Sequence, residues 1–145
     1  MRTWESFSQL WVADTEFLAP AGDPPTPVCL VAQELRSGRT VRLWQDELER
    51  LDAPPYGVGS DSLFIAYFAS SELSVHLALD WPLPQYTLDL FIEFRVHTNG
   101  RSTEGGRGLL AAAVWHGLDA ISADQNRVTA IWCCVAGRGR VRSGA

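Results

Sequence analysis

Apolar positions in the first third of the chain fall in short runs bounded by breakers, the pattern of strands. QLWVADTEF, Gln9–Phe17, is rich in β-branched and aromatic residues and runs into LAPAGDPPTP, which predicts a strand entering a loop. PVCLVAQEL, Pro27–Leu35, predicts a second strand, and the compact turn at Ser37-Gly38-Arg39 leads into a third, TVRLW, Thr40–Trp44. The second and third should form an antiparallel hairpin. The period then changes: Trp44, Leu48 and Leu51 recur at helical spacing within WQDELERL, a short helix. LFIAYF, Leu63–Phe68, reads as a buried strand, and Ser70 or Ser71 can cap a helix through about Leu79. After the punctuating WPLPQYT, Leu88, Phe91, Ile92 and Val96 form an apolar stripe at helical spacing, with room for a short strand before it. Asn99 and Gly100 open a Gly-rich loop, and Leu109, Leu110, Ala113 and Val114 share one face of a last helix ending near Gly117. No internal repeat is visible.

A hairpin of strands followed by alternating helix and strand predicts an α/β fold, a mixed sheet of antiparallel hairpin plus parallel strands flanked by helices. The order β, β, β, α, β, α resembles the start of the RNase H-like fold. At 145 residues the chain fits one domain, and 46% apolar content with six tryptophans can supply its core. The net charge of −5 weighs against nucleic acid, whose nonspecific affinity comes from cations neutralising phosphates. Bound divalent cations would reverse the local sign wherever carboxylates cluster. All twelve basic residues are arginine, which reads as a base-composition bias of the coding DNA. Cys29, Cys133 and Cys134 make neither a set of pairs nor a zinc spacing, and no signal pattern or membrane-length apolar run is present. These features predict a cytoplasmic protein with no membrane partner, and leave its oligomeric state open.

Asp14 and Glu16 stand two apart on the first predicted strand, so their side chains project to one face while Thr15 points to the other. Two acids on one face disfavour each other's ionisation, and a divalent cation relieves that repulsion. Their hard oxygens suit magnesium or manganese. Taken alone, such a pair is more often the water-facing end of a strand. A third acid, Glu72, opens the helix after the other buried strand, so three acids can converge.

WVADTEF, PVCLVAQELRSGRTVRLWQDEL, LFIAYFASSELSVHLALDWPLP and LDLFIEFRVHTNG occur in this order over about Trp11–Leu118. Together they resemble the DEDD-type 3′→5′ exonuclease domain, in the version found in DNA polymerase I-like proteins of bacteria and phages. The resemblance implies a metal-dependent hydrolase in DNA replication or repair. It would cleave phosphodiester bonds at nucleic-acid 3′ ends, foremost those of single-stranded DNA. Asp14 and Glu16 match the first motif, whose acids hold two Mg²⁺ or Mn²⁺ ions. Glu72, in FASSEL, falls where the second motif usually has aspartate; one methylene longer, it would contact a metal directly or through water. Asp89, in TLDLF, matches a position implied to support the fold, whereas its helical spacing with Glu93 and His97 reads as a solvated face. Phe17 and Tyr67 are candidates for stacking on a terminal base, with core packing the simpler duty for both.

The family's third motif, a tyrosine or histidine ahead of a last aspartate on a late helix, is missing, since no acidic residue follows Asp124. The exonuclease-like part is therefore expected to be a partial domain over residues 1–125, weak or inactive as it stands. The segment 126–145 is an atypical tail that fits a true variant, a basic arm built on Arg138, Arg140 and Arg142 (a Gly and Arg run that is more often simply disordered), or a truncated or out-of-frame reading of a longer gene; the last is preferred. Its apolar Ile131–Val135 predicts self-association if uncovered. The alternative function is a non-catalytic RNase H-like module that binds nucleic acid or protein. His76, His97 and His116 lie in no metal-ligand spacing and read as packing or surface residues.

Overall fold

β1 (Gln9–Leu18) is the central strand of a five-stranded mixed sheet. On one side it pairs antiparallel with β2 (Thr26–Glu34), which pairs antiparallel in turn with β3 (Thr40–Trp44). On the other side β1 runs parallel to β4 (Ser62–Ala66), and β4 parallel to the short β5 (Thr87–Asp89). The strand order is β3-β2-β1-β4-β5. Helices α1 (Gln45–Leu48), α2 (Ala69–Ala78) and α3 (Leu90–His97) accompany this sheet. The α/β mixed sheet expected from the sequence is therefore present. The computed structural model describes residues 3–118, so the expectations placed on 126–145 lie outside the described residues. The chain divides into two compact units, Met1–Arg101 and Ser102–Ala145. The sheet and α1 to α3 belong to the first, and α4 (Leu109–Trp115) belongs to the second.

Strand parity builds two apolar layers. Trp11 and Ala13 of β1, Leu30 and Ala32 of β2, and Phe64 and Ala66 of β4 pack with Leu48, Tyr56, Ala69 and Trp81 into the main core. The opposite face carries a smaller cluster of Phe7, Leu10, Leu63 and Ile65. All five residues of β4 are buried, as its unbroken apolar run requires.

The turn between β2 and β3 is closed by the Glu34 N–H donating to the Arg39 carbonyl at 2.8 Å and the Gly38 N–H to the Glu34 carbonyl at 2.8 Å. Gly38 takes a φ of +74°, a conformation that costs glycine little. The Glu34 carboxylate accepts from the N–H groups of Leu10 (3.0 Å), Arg36 (3.2 Å) and Ser37 (2.7 Å). One buried acid thus ties the hairpin turn to β1.

Several expected elements differ in detail. The helix predicted over WQDELERL is a single turn, Gln45–Leu48. Beyond it the Arg50 and Leu51 N–H groups bond to the third residue back, at 3.2 and 3.1 Å, tightening the chain before Pro54 and Pro55. The cap expected from Ser70 or Ser71 is absent, because α2 begins at Ala69 with Phe68 before it in left-handed backbone at φ 71°. A non-glycine residue there costs roughly 1–2 kcal/mol. The compensation comes from far along the chain. The Asp89 carboxylate accepts from the N–H groups of Phe68 (3.2 Å) and Ala69 (3.0 Å), and also from Phe91 (2.9 Å) and Ile92 (3.3 Å) at the start of α3. Asp89 therefore caps two helices at once, and is no member of a solvated helical stripe.

Helix α2 ends with Asp80 in left-handed backbone (φ 54°), where the Trp81 N–H reaches the His76 carbonyl at 2.8 Å and the Asp80 N–H the Leu77 carbonyl at 3.3 Å. These are the two bonds of a Schellman ending. The apolar stripe expected on α3 is also corrected. Leu88 lies in β5, so it set the wrong helical phase; Phe94 and Thr98 are buried, whereas Ile92 and Val96 face outward. On α4 burial falls on Ala111 and Ala112, while Leu109 and Val114 of the expected face are exposed. Periodicity weighted the large side chains, and the small ones are covered.

Candidate functional site

The site forms where β1 outruns its parallel neighbour. β1 and β4 are paired from Gln9↔Ser62 to Val12↔Ile65, so beyond Val12 the β4-side edge of β1 has no strand partner among the described residues. Asp14 and Glu16 stand on this stretch, exposed, on the face that carries Leu10 and Val12, while Thr15 is buried on the main-core face. The parity inferred from sequence holds.

Glu72 comes from the first turn of α2 and is only 5% exposed. Its carboxylate accepts hydrogen bonds from both the side chain and the backbone N–H of Thr15. Those bonds replace the ladder that β4 no longer provides. Glu72 is therefore fastened to the residue between the two strand acids, from the main-core side, and does not stand on their face. Its Oε2 is buried without a hydrogen-bond partner.

A neighbouring network explains why that oxygen stays unpartnered. His76 Nδ1 lies 2.9 Å from the Pro82 carbonyl, which can only accept, so Nδ1 carries the proton and Nε2 accepts from the Tyr56 hydroxyl at 2.8 Å. Tyr56 thereby spends its one proton on His76 and has none for Glu72. Phe64, Tyr56 and Trp81 rings surround His76 with centroids 5.6–5.8 Å away. Burial holds the imidazole below its ordinary range, against the opposing pull of the Pro82 carbonyl. Burial raises the Tyr56 hydroxyl, and the Glu72 charge raises it further.

The three acids share one electrostatic neighbourhood. Burial pushes Glu72 up to about 7 despite the Thr15 hydrogen bonds, and the charges of Asp14 and Glu16 add to the shift. Loss of hydration at the sheet edge raises Asp14; the same loss, then the Asp14 charge, raises Glu16. No cationic side chain among the described residues offsets them. Oxygen donors of this kind, one orphaned and two exposed, fit a hard divalent cation. They do not form a ready-made cage, since among the described residues no three His, Cys, Asp or Glu side chains are grouped closely enough to hold a metal ion. Magnesium commonly takes only one or two protein carboxylates and fills its shell with water and substrate phosphate.

Phe17 and Tyr67 are half-buried, and Tyr67 makes an edge contact with Phe91 at 5.9 Å. His97 and His116 are exposed, whereas His76 belongs to the core. Sequence reasoning missed Thr15 and Tyr56 as organisers of this region, whereas Asp89 has the fold-supporting part expected of it, as a cap to two helices. For Thr15 the signal was available, since the residue between two strand acids must face the opposite layer. No helix among the described residues is long and apolar enough to cross a membrane. No protein-family model matches the chain, and no curated protein matches it.

Proposed function

We propose that this chain carries a metal-dependent 3′→5′ exonuclease-like site on an RNase H-like domain of the DNA polymerase I-like type. Asp14, Glu16 and Glu72 would serve as its acidic ligands to Mg²⁺ or Mn²⁺. The observation that supports this most is the buried, unpartnered Oε2 of Glu72 beside two further carboxylates whose charges raise its pKa. Such an arrangement destabilises the fold unless a cation or a proton relieves it. The strand order with its antiparallel hairpin and central β1 supports the RNase H-like assignment.

In this reading the exposed pair Asp14 and Glu16 presents oxygens to cation and phosphate at the sheet edge. Thr15 fixes the Glu72 carboxyl so that it backs the pair from below. Bound divalent cations would supply Lewis-acid stabilisation of the phosphoryl oxygens and lower the pKa of an attacking water. Turnover by this chain would be slow or absent, because Glu72 reaches the site from the face opposite Asp14 and Glu16. A second reading, a non-catalytic nucleic-acid or protein binding module, is favoured by the position of Glu72 across the strand from its partners.

Calorimetric titration with Mn²⁺, run beside degradation of a 3′-labelled single-stranded oligonucleotide, tests both readings. Metal binding abolished by Asp14→Ala, with trimming from the 3′ end, is the expected result. Metal binding without trimming would leave the module reading, and no metal binding by the unmodified chain would remove the nuclease reading.

A further inference from the structure

The sheet face that bears Asp14 and Glu16 continues across the hairpin, and its charges are unevenly placed. Asp14 of β1 is level with Val31 of β2, and Val31 with Arg42 of β3. Residues directly opposite on neighbouring strands share a face, so acid, valine and guanidinium stand in one row. The two charged residues are two strand spacings apart, roughly 10 Å at the backbone. Neither makes a hydrogen bond or ion pair among the described residues. Both are exposed, as are Gln33 and Thr40 of the next row, while Val12 and Val31 are half-buried. Three strands therefore offer solvent an apolar centre with an acidic flank on β1 and a basic flank on β3.

Such a face is complementary to itself. A two-fold axis running along β2 above Val31 sets β1 of one copy over β3 of the other and keeps each row level. Asp14 then faces the second copy's Arg42, Val31 meets its own counterpart, and the charge pair recurs on the far side of the axis. Every contact off the axis of an isologous interface is made twice in this way. Stacked sheets lie about 10 Å apart, a gap that one valine from each side fills and that an arginine spans to reach a carboxylate. The planar guanidinium fork matches carboxylate geometry, and Glu16, two residues along β1, gives it a second acceptor. The second copy thus supplies the cation that the acids lack within one chain.

We propose that the β1–β2–β3 face is a two-fold interface between two copies of this chain, held by reciprocal Asp14–Arg42 ion pairs about Val31. Three short strands offer less than the standard interface area of about 1,600 Å², so the association is weak and sensitive to salt. The interface stands on charge and register and does not depend on the nuclease reading. The two meet at one carboxylate, because Arg42 and a divalent cation compete for Asp14, which makes the dimer the metal-free form.

The test is sedimentation velocity of the full chain across a concentration series, in chelator at low and at high salt, and again with Mn²⁺. The variants are Arg42→Asp, Asp14→Arg and the two combined, with thermal melting to check that each folds. Arg42→Ala, on an exposed position of an edge strand, carries the test where a reversal fails to melt as a folded protein. The expected result is a concentration-dependent dimer in chelator and low salt, weakened at least about 10-fold by either reversal, restored by the combined exchange, and dissociated by Mn²⁺ or high salt. A monomer at every concentration would overturn the interface, as would self-association that Arg42→Asp and Arg42→Ala leave unchanged, or a folded combined exchange that does not recover. A charge-dependent dimer that Mn²⁺ does not dissociate would uphold the interface and remove Asp14 from the metal site. Mn²⁺ binding lost in Asp14→Arg, by a chain that never dimerises, would do the reverse.

Discussion

Glu72 is held by Thr15, the residue that separates Asp14 from Glu16, and this link carries α2 onto the central strand. It does two things at once. It satisfies the part of β1 that β4 leaves bare, and it brings a third acid within electrostatic reach of two others. The first is a gain to the fold and the second a cost. A carboxyl pushed up to about 7 is the measure of that cost.

The cost gives a pH dependence. The ordinary value for Glu72 is 4.5 and the folded value about 7, so its proton favours the folded state fully below about 4.5. That contribution fades as pH rises and is gone above about 7. Glu72→Gln cannot ionise, so it should be more stable than the unmodified chain at pH 8, by at most roughly 3 kcal/mol, with the advantage shrinking towards pH 4.5. Urea denaturation at pH 5 and pH 8 measures both limbs. A mutant that loses stability equally at the two values would mean that hydrogen bonding to Thr15, and not ionisation, governs the site.

Asp89 offers a test of the double cap. Its carboxylate accepts four N–H groups from the starts of two helices, so Asp89→Ala strips both termini and leaves Phe68 strained without restraint. Loss of one side-chain cap costs about 1 kcal/mol, and two together with the strained turn should cost about 2–3 kcal/mol. Asp89→Asn keeps one acceptor oxygen and should lie between. Chemical denaturation of the three proteins gives the order, and hydrogen exchange at Ala69 and Phe91 should accelerate most in the alanine variant.

Much of this architecture was legible in the chain, and the failures have physical causes. β1 to β4 were placed by short apolar runs and breakers, because those signals are local. The parity of Asp14, Thr15 and Glu16 follows from strand geometry alone. The cap of α2 was misread because its acceptor, Asp89, lies twenty residues downstream of Ala69, beyond any local cap rule. The phase of α3 failed because Leu88 ends a strand where periodicity counted a helix. Glu72 was foreseen as a member of the acidic group, but the side from which it approaches was not. That depends on where β4 stops relative to β1, a tertiary register with no sequence signature.

The Tyr56 and His76 pair sets a second stability term of opposite sign. His76 is buried and held below its ordinary 6.5, so it favours the folded state above about 6.5 and opposes folding as pH falls through its lowered value. Tyr56→Phe removes the donor to Nε2 and leaves a buried acceptor unpaired, a loss of about 1–3 kcal/mol at neutral pH. Nitrogen NMR should find the proton on Nδ1 in the unmodified chain, because the Pro82 carbonyl demands it. A proton found on Nε2 instead would reverse the assigned direction of the Tyr56 bond.

Glu34 governs the acid limb. Three backbone N–H groups, with Leu10 foremost, and the Ser37 side chain hold its carboxylate at about 2 against an ordinary 4.5. A depressed carboxylate stabilises the fold above about 4.5, and that stabilisation is lost as pH falls from 4.5 through 2. Glu34→Gln retains the side-chain carbonyl but not the charge, so it should melt several degrees lower at pH 7 and show a flatter decline between pH 4.5 and 2. Because Glu34 joins the β2–β3 turn to the Leu10 amide, the loss should register first as faster amide exchange at Leu10, Arg36 and Ser37. A melting profile parallel to that of the unmodified chain through the acid range would show that the Glu34 charge does not carry the acid transition, and the weight would pass to His76.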